Sequence, residues 1–305
     1  MYSNFNTKGK SNSFQTIIFI SITVFFGLML CGCAQKKMDL SSYGISEPLT
    51  ESHVITLSVK SESMDSEMPY IIYLPKGYGS GEKYPVWYGL NSHSTDESMW
   101  VDNGIVTAAD ELIESGEIEP IIMVFPYVKD ATLKEIQKDL EDDGKFDECK
   151  IDQFIYQDLV PYIDSKFNTI KSAEGRYIGG FSLGGMISLR IAFHHTDMFS
   201  KVGGFSAAVL SSDYSDKQLE EWLFPNDNFD DIDDITEFDK KKGFDKLSVY
   251  LDAGKSNDPF IAGLQSLNDA LQKKGIKSEF NLDEGGHTLK AYNIKDYLKF
   301  YAGTN

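Results

Sequence analysis

The sequence predicts an α/β fold, a mostly parallel central sheet with helices on both faces, and three observations carry that prediction. Short apolar runs rich in β-branched and aromatic residues recur along the chain, and in its second half they alternate with stretches of helical apolar spacing. Strands joined by crossover helices produce that alternation. A glycine-rich turn between Arg176 and Met186 joins one such strand directly to one such helix. The 305 residues, 41% hydrophobic and 13% aromatic, are enough for one substantial core.

In chain order the predicted strands are 54–59, 70–74, 86–90, 121–125, 176–179, 202–205, 247–251 and 278–282. The first two are joined by a short polar stretch and read as an antiparallel start. Helical patterns at 104–114, 151–166, 185–193, 260–274 and 289–301 fall between the later strands, so those strands are expected to be parallel.

The N-terminus reads as an address rather than as fold. Lys8 and Lys10 precede an apolar run from Ile17 to Leu30, shorter than the ~20 residues that cross a bilayer. Leu30-Cys-Gly-Cys33 follows, then Ala34, Gln35 and two lysines. This resembles a bacterial lipoprotein signal, in which a small residue precedes the cysteine that is lipidated. Cys33 fits, with Gly32 before it; Cys31 follows Leu30 and fits poorly. The expected organisation is a signal peptide at 1–32, a polar tether at 33–51 and one domain at 52–305, anchored outside the cytoplasm by lipid on Cys33. With Cys33 modified, Cys149 would be the one thiol left.

The chemistry is concentrated in Gly180-Phe-Ser-Leu-Gly184. A Gly-x-Ser-x-Gly segment between a strand and a helix is the nucleophile elbow of the α/β-hydrolase fold, which points the Ser182 hydroxyl out of the sheet. The N–H of the next residue, Leu183, is then placed to bind an oxyanion. In this fold the acid and then the base follow the nucleophile. Of the five histidines, His53 and His93 precede Ser182, and His194 and His195 sit on the helix leaving the elbow. His287, in Asp283-Glu-Gly-Gly-His287 after a strand, is left as the base. Two carboxylates compete for the acid: Asp258, in the turn Gly254-Lys-Ser-Asn-Asp258 beyond a buried strand, is preferred over Asp252, which lies within or beside that strand.

Four ordered blocks then carry a family resemblance. Tyr73-Leu-Pro-Lys-Gly-Tyr78, Gly180-Phe-Ser-Leu-Gly-Gly185, Gly254-Lys-Ser-Asn-Asp258 and Gly285-Gly-His287 are similar to the matching blocks of the esterase family that contains feruloyl and acetyl-xylan esterases, esterase D and enterochelin esterases. The likeness runs over about residues 50–302, and includes Leu159-Val-Pro-Tyr-Ile-Asp-Ser-Lys-Phe167 before the elbow. It implies an α/β-hydrolase esterase with Ser182, Asp258 and His287 in the triad positions. One block departs from the family. Where a His-Gly-x-Gly-Gly-like loop normally supplies the second oxyanion N–H, this chain has Val86-Trp-Tyr-Gly-Leu-Asn-Ser-His-Ser-Thr95, so that donor falls to Ser92 or His93.

Charge and composition exclude other classes. The net charge of −18 opposes binding to nucleic acid and electrostatic binding to anionic lipid. The acidic run 139–147 has the spacing and glycine of a calcium loop, but Lys150 stands where the bidentate Glu belongs, so it reads as a solvated loop. An insertion at 214–245 carries aromatics among carboxylates and reads either as a wall or lid of the acyl pocket or as an acidic surface excursion. The expectation is a lipid-anchored serine esterase acting on acetyl or feruloyl esters of carbohydrate, with no cofactor and no metal. Transfer of the acyl group to another alcohol, and a catalytically weak ligand-binding lipoprotein, are the alternatives.

Overall fold

The computed structural model describes residues 37–128, 149–209 and 243–304. The apolar run, Cys33, the acidic run 139–147 and most of the 214–245 insertion lie outside the described residues. Among the described residues no helix is long and apolar enough to cross a membrane.

Eight strands form one sheet: β1 (His53–Ser61), β2 (Ser66–Leu74), β3 (Val86–Leu90), β4 (Ile122–Pro126), β5 (Arg176–Phe181), β6 (Lys201–Phe205), β7 (Ser248–Gly254) and β8 (Lys277–Asp283). Their order is β1-β2-β4-β3-β5-β6-β7-β8. The β1–β2 and β2–β4 pairs are antiparallel, and every later pair is parallel. The antiparallel start and the parallel remainder are those the sequence predicts.

Side-chain alternation divides the core between the faces. Tyr70, Ile72 and Leu74 of β2, with Val86, Tyr88 and Leu90 of β3, point into one layer; Ile71, Tyr73 and Trp87 point into the other. The first layer is closed by α3, a helical run that passes from Lys150–Gln153 through a π-helical turn, Phe154–Leu159, to Val160–Lys166. The α4 helix (Leu183–His194) and the α5 helix (Ile261–Lys273) complete it. The opposite layer is closed by α1 (Met99–Asp102), α2 (Ile105–Glu114) and α6 (Ala291–Ala302). The α2 helix buries Ile105, Ala108, Ala109 and Leu112, the i, i+3, i+4, i+7 stripe that one helical face presents. Trp87 anchors this layer, stacked on Tyr301 and edge-on to Trp100, each at 5.0 Å between ring centroids.

A buried ion pair fixes α4 against α3. Arg190 Nη2 lies 2.9 Å from Asp152 Oδ1 and Nε lies 2.8 Å from Oδ2, both side chains out of water. Cys149 Sγ is 3.1 Å from the same guanidinium. Burial alone disfavours the charge on Arg190, but the Asp152 carboxylate more than offsets it.

The structure corrects the tether. Residues 38–49 are laid against the domain: Leu40, Ile45 and Leu49 are buried, and Leu40–Tyr43 form a 3-10 turn capped by the Asp39 side chain. Met38 N–H donates to Lys166 O at 2.9 Å, Leu49 N–H to Tyr78 O at 2.9 Å, and Gly77 N–H to Leu49 O at 2.9 Å. The polar composition of 33–51 hides three apolar residues that find slots on the first layer, so the described part of that segment belongs to the fold. Removing residues 1–51 uncovers three core contacts worth about 1.5–3 kcal/mol each, and is expected to lower the melting temperature by on the order of 10 °C. Calorimetry on chains beginning at residue 37 and at residue 52 checks this.

Candidate active site

Gly180 and Gly184 are both required at the β5–α4 turn. A Cβ on Gly180 would sit 2.4 Å from the Gly184 carbonyl carbon, and one on Gly184 would sit 2.5 Å from Asn91 O. With both side chains absent, the strand can reverse into the helix in one residue. That residue is Ser182, at φ 58° and ψ −117°, a conformation that L-residues rarely adopt. Its backbone is held at both ends: Ser182 N–H donates to Phe205 O at 2.9 Å, and Ala208 N–H donates to Ser182 O at 3.0 Å. The first N–H groups of α4 have no partner within the helix, and Leu183 supplies the first of them beside the Ser182 side chain.

Three loops bring the other groups to this turn. β7 and β8 are parallel neighbours with Gly254 opposite Asp283, so the loops leaving them run side by side. Lys255 N–H donates to Asp283 O at 2.8 Å and Ser256 N–H to Gly285 O at 2.7 Å, fastening the Asp258 loop to the His287 loop. His287 Nε2 stands 3.0 Å from Ser182 Oγ, and Nδ1 stands 3.6 Å from Asp258 Oδ2. The second separation is that of an ion pair, longer than a hydrogen bond, and Nδ1 has no other partner among the described residues. Such contacts tighten when substrate is bound. The imidazole is 26% exposed, stacked on Phe181 at 4.9 Å and met edge-on by Phe260 at 5.0 Å.

The two carboxylates are separated by their surroundings. Burial disfavours the Asp258 charge, yet the facing His287 imidazole and the hydrogen bonds from the Ser206 hydroxyl and the N–H groups of Gly254 and Phe260 outweigh it and hold the carboxyl down to about 2. Asp258 is thus an anion at neutral pH. Asp252 is pushed up to about 7 by burial, which its hydrogen bonds from Tyr297 Oη and Ser206 N–H only partly oppose. Its contacts are with Ser206 and Tyr297, and Asp258 is the carboxylate that faces the imidazole.

The 91–95 loop forms a tight turn without the glycines its position suggests. Ser94 takes φ 62°, the left-handed conformation that glycine adopts at least cost, and Thr95 N–H closes the turn on Ser92 O at 3.4 Å. Asn91 is buried and staples the loop to the end of β4: its Oδ1 accepts from Val128 N–H at 2.7 Å, and its Nδ2 donates to Thr95 O at 2.9 Å. The Ser92 amide points at Met99 Sδ, 3.4 Å away, a weak acceptor. The carbonyls of Leu90 and Asn91 abut Gly184, so the loop lies against the start of α4.

Of the residues singled out from the sequence, the structure joins Ser182, His287 and Asp258 and leaves His194 and His195 at the far end of α4, where His195 lies against Tyr156 at 3.9 Å. Sequence reasoning missed Ser206, whose hydroxyl donates to Asp258 Oδ2, and the aromatic pair Phe181 and Phe260 around the imidazole. Ser206 directly follows the strand next to the elbow strand, at the carboxyl edge where parallel sheets gather functional groups, and that position was the available signal.

A family model described as "Putative esterase" matches residues 61–300. The endo-1,4-beta-xylanase/feruloyl esterase of Xylanibacter ruminicola is 27% identical over 195 residues, 61% of this chain, which spans about a quarter (26%) of that protein. A solved ferulic acid esterase superposes with TM-score 0.66 at 24% identity, covering 82% of this chain and 98% of that one. The S-formylglutathione hydrolase of Staphylococcus aureus superposes with TM-score 0.61 at 17% identity, covering 85% and 99%. The elbow, the ordered residue blocks and the match over 61–300 place the chain in this esterase family, with an α/β-hydrolase fold.

Proposed function

We propose that the protein hydrolyses acyl esters of carbohydrate, of the acetyl or feruloyl kind, through a Ser182–His287–Asp258 triad. The observation that carries this is the 3.0 Å contact between Ser182 Oγ and His287 Nε2 at the elbow. Ser182 Oγ attacks the ester carbonyl carbon while Nε2 takes its proton. The oxyanion is bound by Leu183 N–H and by an N–H of the 91–94 loop, from Ser92 or His93. As the intermediate collapses, the imidazolium returns the proton to the departing alcohol, leaving an acyl-Ser182. Water, giving a proton to His287, then attacks the acyl carbon, and the bond to Ser182 Oγ breaks as the imidazolium returns that proton to Oγ and the acid leaves. Asp258 keeps the imidazole in the tautomer with Nε2 free to accept, and stabilises its charge. The likeness to a xylanase/feruloyl esterase and to a ferulic acid esterase supports the carbohydrate-ester substrate.

The same proposal places the protein outside the cytoplasm, anchored by lipid on Cys33. Support comes from the Leu30-Cys-Gly-Cys33 segment after an apolar run that follows Lys8 and Lys10. Several acyl chains on one cysteine would hold the protein where a single chain gives marginal binding. Wild-type protein is expected to partition into detergent, and Cys33→Ser to stay unprocessed and without lipid, as mass spectrometry of the N-terminus would show; unlipidated wild-type protein in the culture fluid would refute the anchor.

The chemistry is tested with a panel of acetyl-xylan, feruloyl and nitrophenyl esters and S-formylglutathione. Ser182→Ala and His287→Ala should each lower kcat at least about a thousandfold, with the double variant little worse than either. Turnover in the Ser182→Ala variant near the wild-type rate would sink the mechanism, and turnover confined to S-formylglutathione would move the substrate to thioesters.

Asp258→Asn is expected to lower kcat by about 10³–10⁴ through the wrong imidazole tautomer. Asp252→Asn should act on stability instead, and with a defined pH trend. Asp252 titrates higher when folded, so its burial weighs more on stability as pH rises from about 4 to about 7. The melting temperature of Asp252→Asn relative to wild type should therefore rise across that window. Loss of kcat in Asp252→Asn with Asp258→Asn unaffected would transfer the acid's role.

A further inference from the structure

We propose that Ser206 is a positioning residue for the acid, its hydroxyl pinning the carboxylate oxygen of Asp258 that faces the imidazole. The inference rests on the triad reading and deepens it. Ser206 follows β6, is 5% exposed, and holds φ 44°, in the left-handed region. Its backbone is fixed by Asp252: the Ser206 N–H donates to Asp252 Oδ1 at 2.7 Å and to Asp252 O at 3.1 Å. With the backbone so held, the hydroxyl donates to Asp258 Oδ2.

The donors to Asp258 are not equivalent. The N–H groups of Gly254 and Phe260, each 3.0 Å from a carboxylate oxygen, lie within four residues of Asp258 along the chain, at the end of its own strand β7 and just before α5. Ser206 is distant in sequence, directly after the neighbouring strand β6, and ties the acid to the side of the sheet that carries the elbow. The preceding residue does the same for the nucleophile, since Phe205 O accepts the Ser182 N–H at 2.9 Å, and Ala208 N–H takes Ser182 O at 3.0 Å. The segment 205–208 therefore holds both ends of the triad at once, and the distance that His287 must bridge is set by consecutive residues of one loop. The hydroxyl also donates to the carboxylate in its charged form, which keeps Asp258 anionic.

Ser206→Gly removes the hydroxyl while the left-handed backbone is kept without steric strain; Ser206→Ala is the second variant should the first unfold. Two readouts are taken. Carboxyl carbon NMR across acid pH follows the titration of Asp258 and needs no turnover; its midpoint should rise by about one unit when a donor to the charged form is lost. Steady-state kinetics on whichever ester of the panel the wild type cleaves should show kcat lower by about tenfold and KM within about twofold, with active-site titration by a fluorophosphonate correcting for folded fraction. An unmoved Asp258 midpoint, or a kcat loss that vanishes after that correction, overturns the role of Ser206. A raised midpoint in a protein whose wild type cleaves no ester would uphold the Ser206–Asp258 contact and overturn the esterase reading instead.

Discussion

Ser182 sits in a backbone conformation that costs on the order of 1–3 kcal/mol, and the arrangement of the sheet follows from the need to hold it there. The strain buys a geometry in which one residue separates a strand from a helix, so the hydroxyl stands clear of both. The restraint comes from both directions. Gly180 and Gly184 let α4 approach β5 and the 91–95 loop, while Phe205 O and Ala208 N–H grip the serine's own amide and carbonyl. Farther along α4, the buried Arg190–Asp152 pair fixes the helix on α3, so the turn cannot relax by sliding the helix.

The electrostatics follow from the same frame. Two carboxylates leave the carboxyl end of one parallel strand, and their environments push them apart: hydrogen-bond donors converge on Asp258, and burial dominates at Asp252. Different ionisation from like groups in neighbouring positions is the ordinary route to a division of labour, one charge facing the imidazole and one carboxyl serving the scaffold. Ser206 touches both, with its amide on Asp252 and its hydroxyl on Asp258. The aromatic rings of Phe181 and Phe260 confine the imidazole without competing for its nitrogens.

The 91–95 loop shows how a missing glycine pattern is accommodated. Ser94 accepts the left-handed conformation, and the buried Asn91 supplies from its side chain the bonds that tie the turn to Val128. The loop therefore keeps a fixed place against the start of α4 although it departs from the family's glycine-rich form.

Much of this was legible in the chain. Period-two and helical apolar patterns gave the strands and helices, because local burial imposes those periods whatever the tertiary partners are. The elbow was legible because a one-residue reversal demands glycines at fixed offsets, and His287 because the fold orders its triad along the chain. What the sequence could not decide depends on contacts between distant segments. Position beyond the strand end favoured Asp258 over Asp252, but which of them faces the imidazole is decided by the loop atoms that converge on each carboxylate. The burial of Leu40, Ile45 and Leu49 was hidden because three apolar residues in a polar stretch have no period, and slots elsewhere on the surface determine whether they are covered. Ser206 stands at the carboxyl edge of the sheet, but its partner was hidden for the same reason: a serine acquires a role only when folding sets its hydroxyl against a carboxylate 52 residues away.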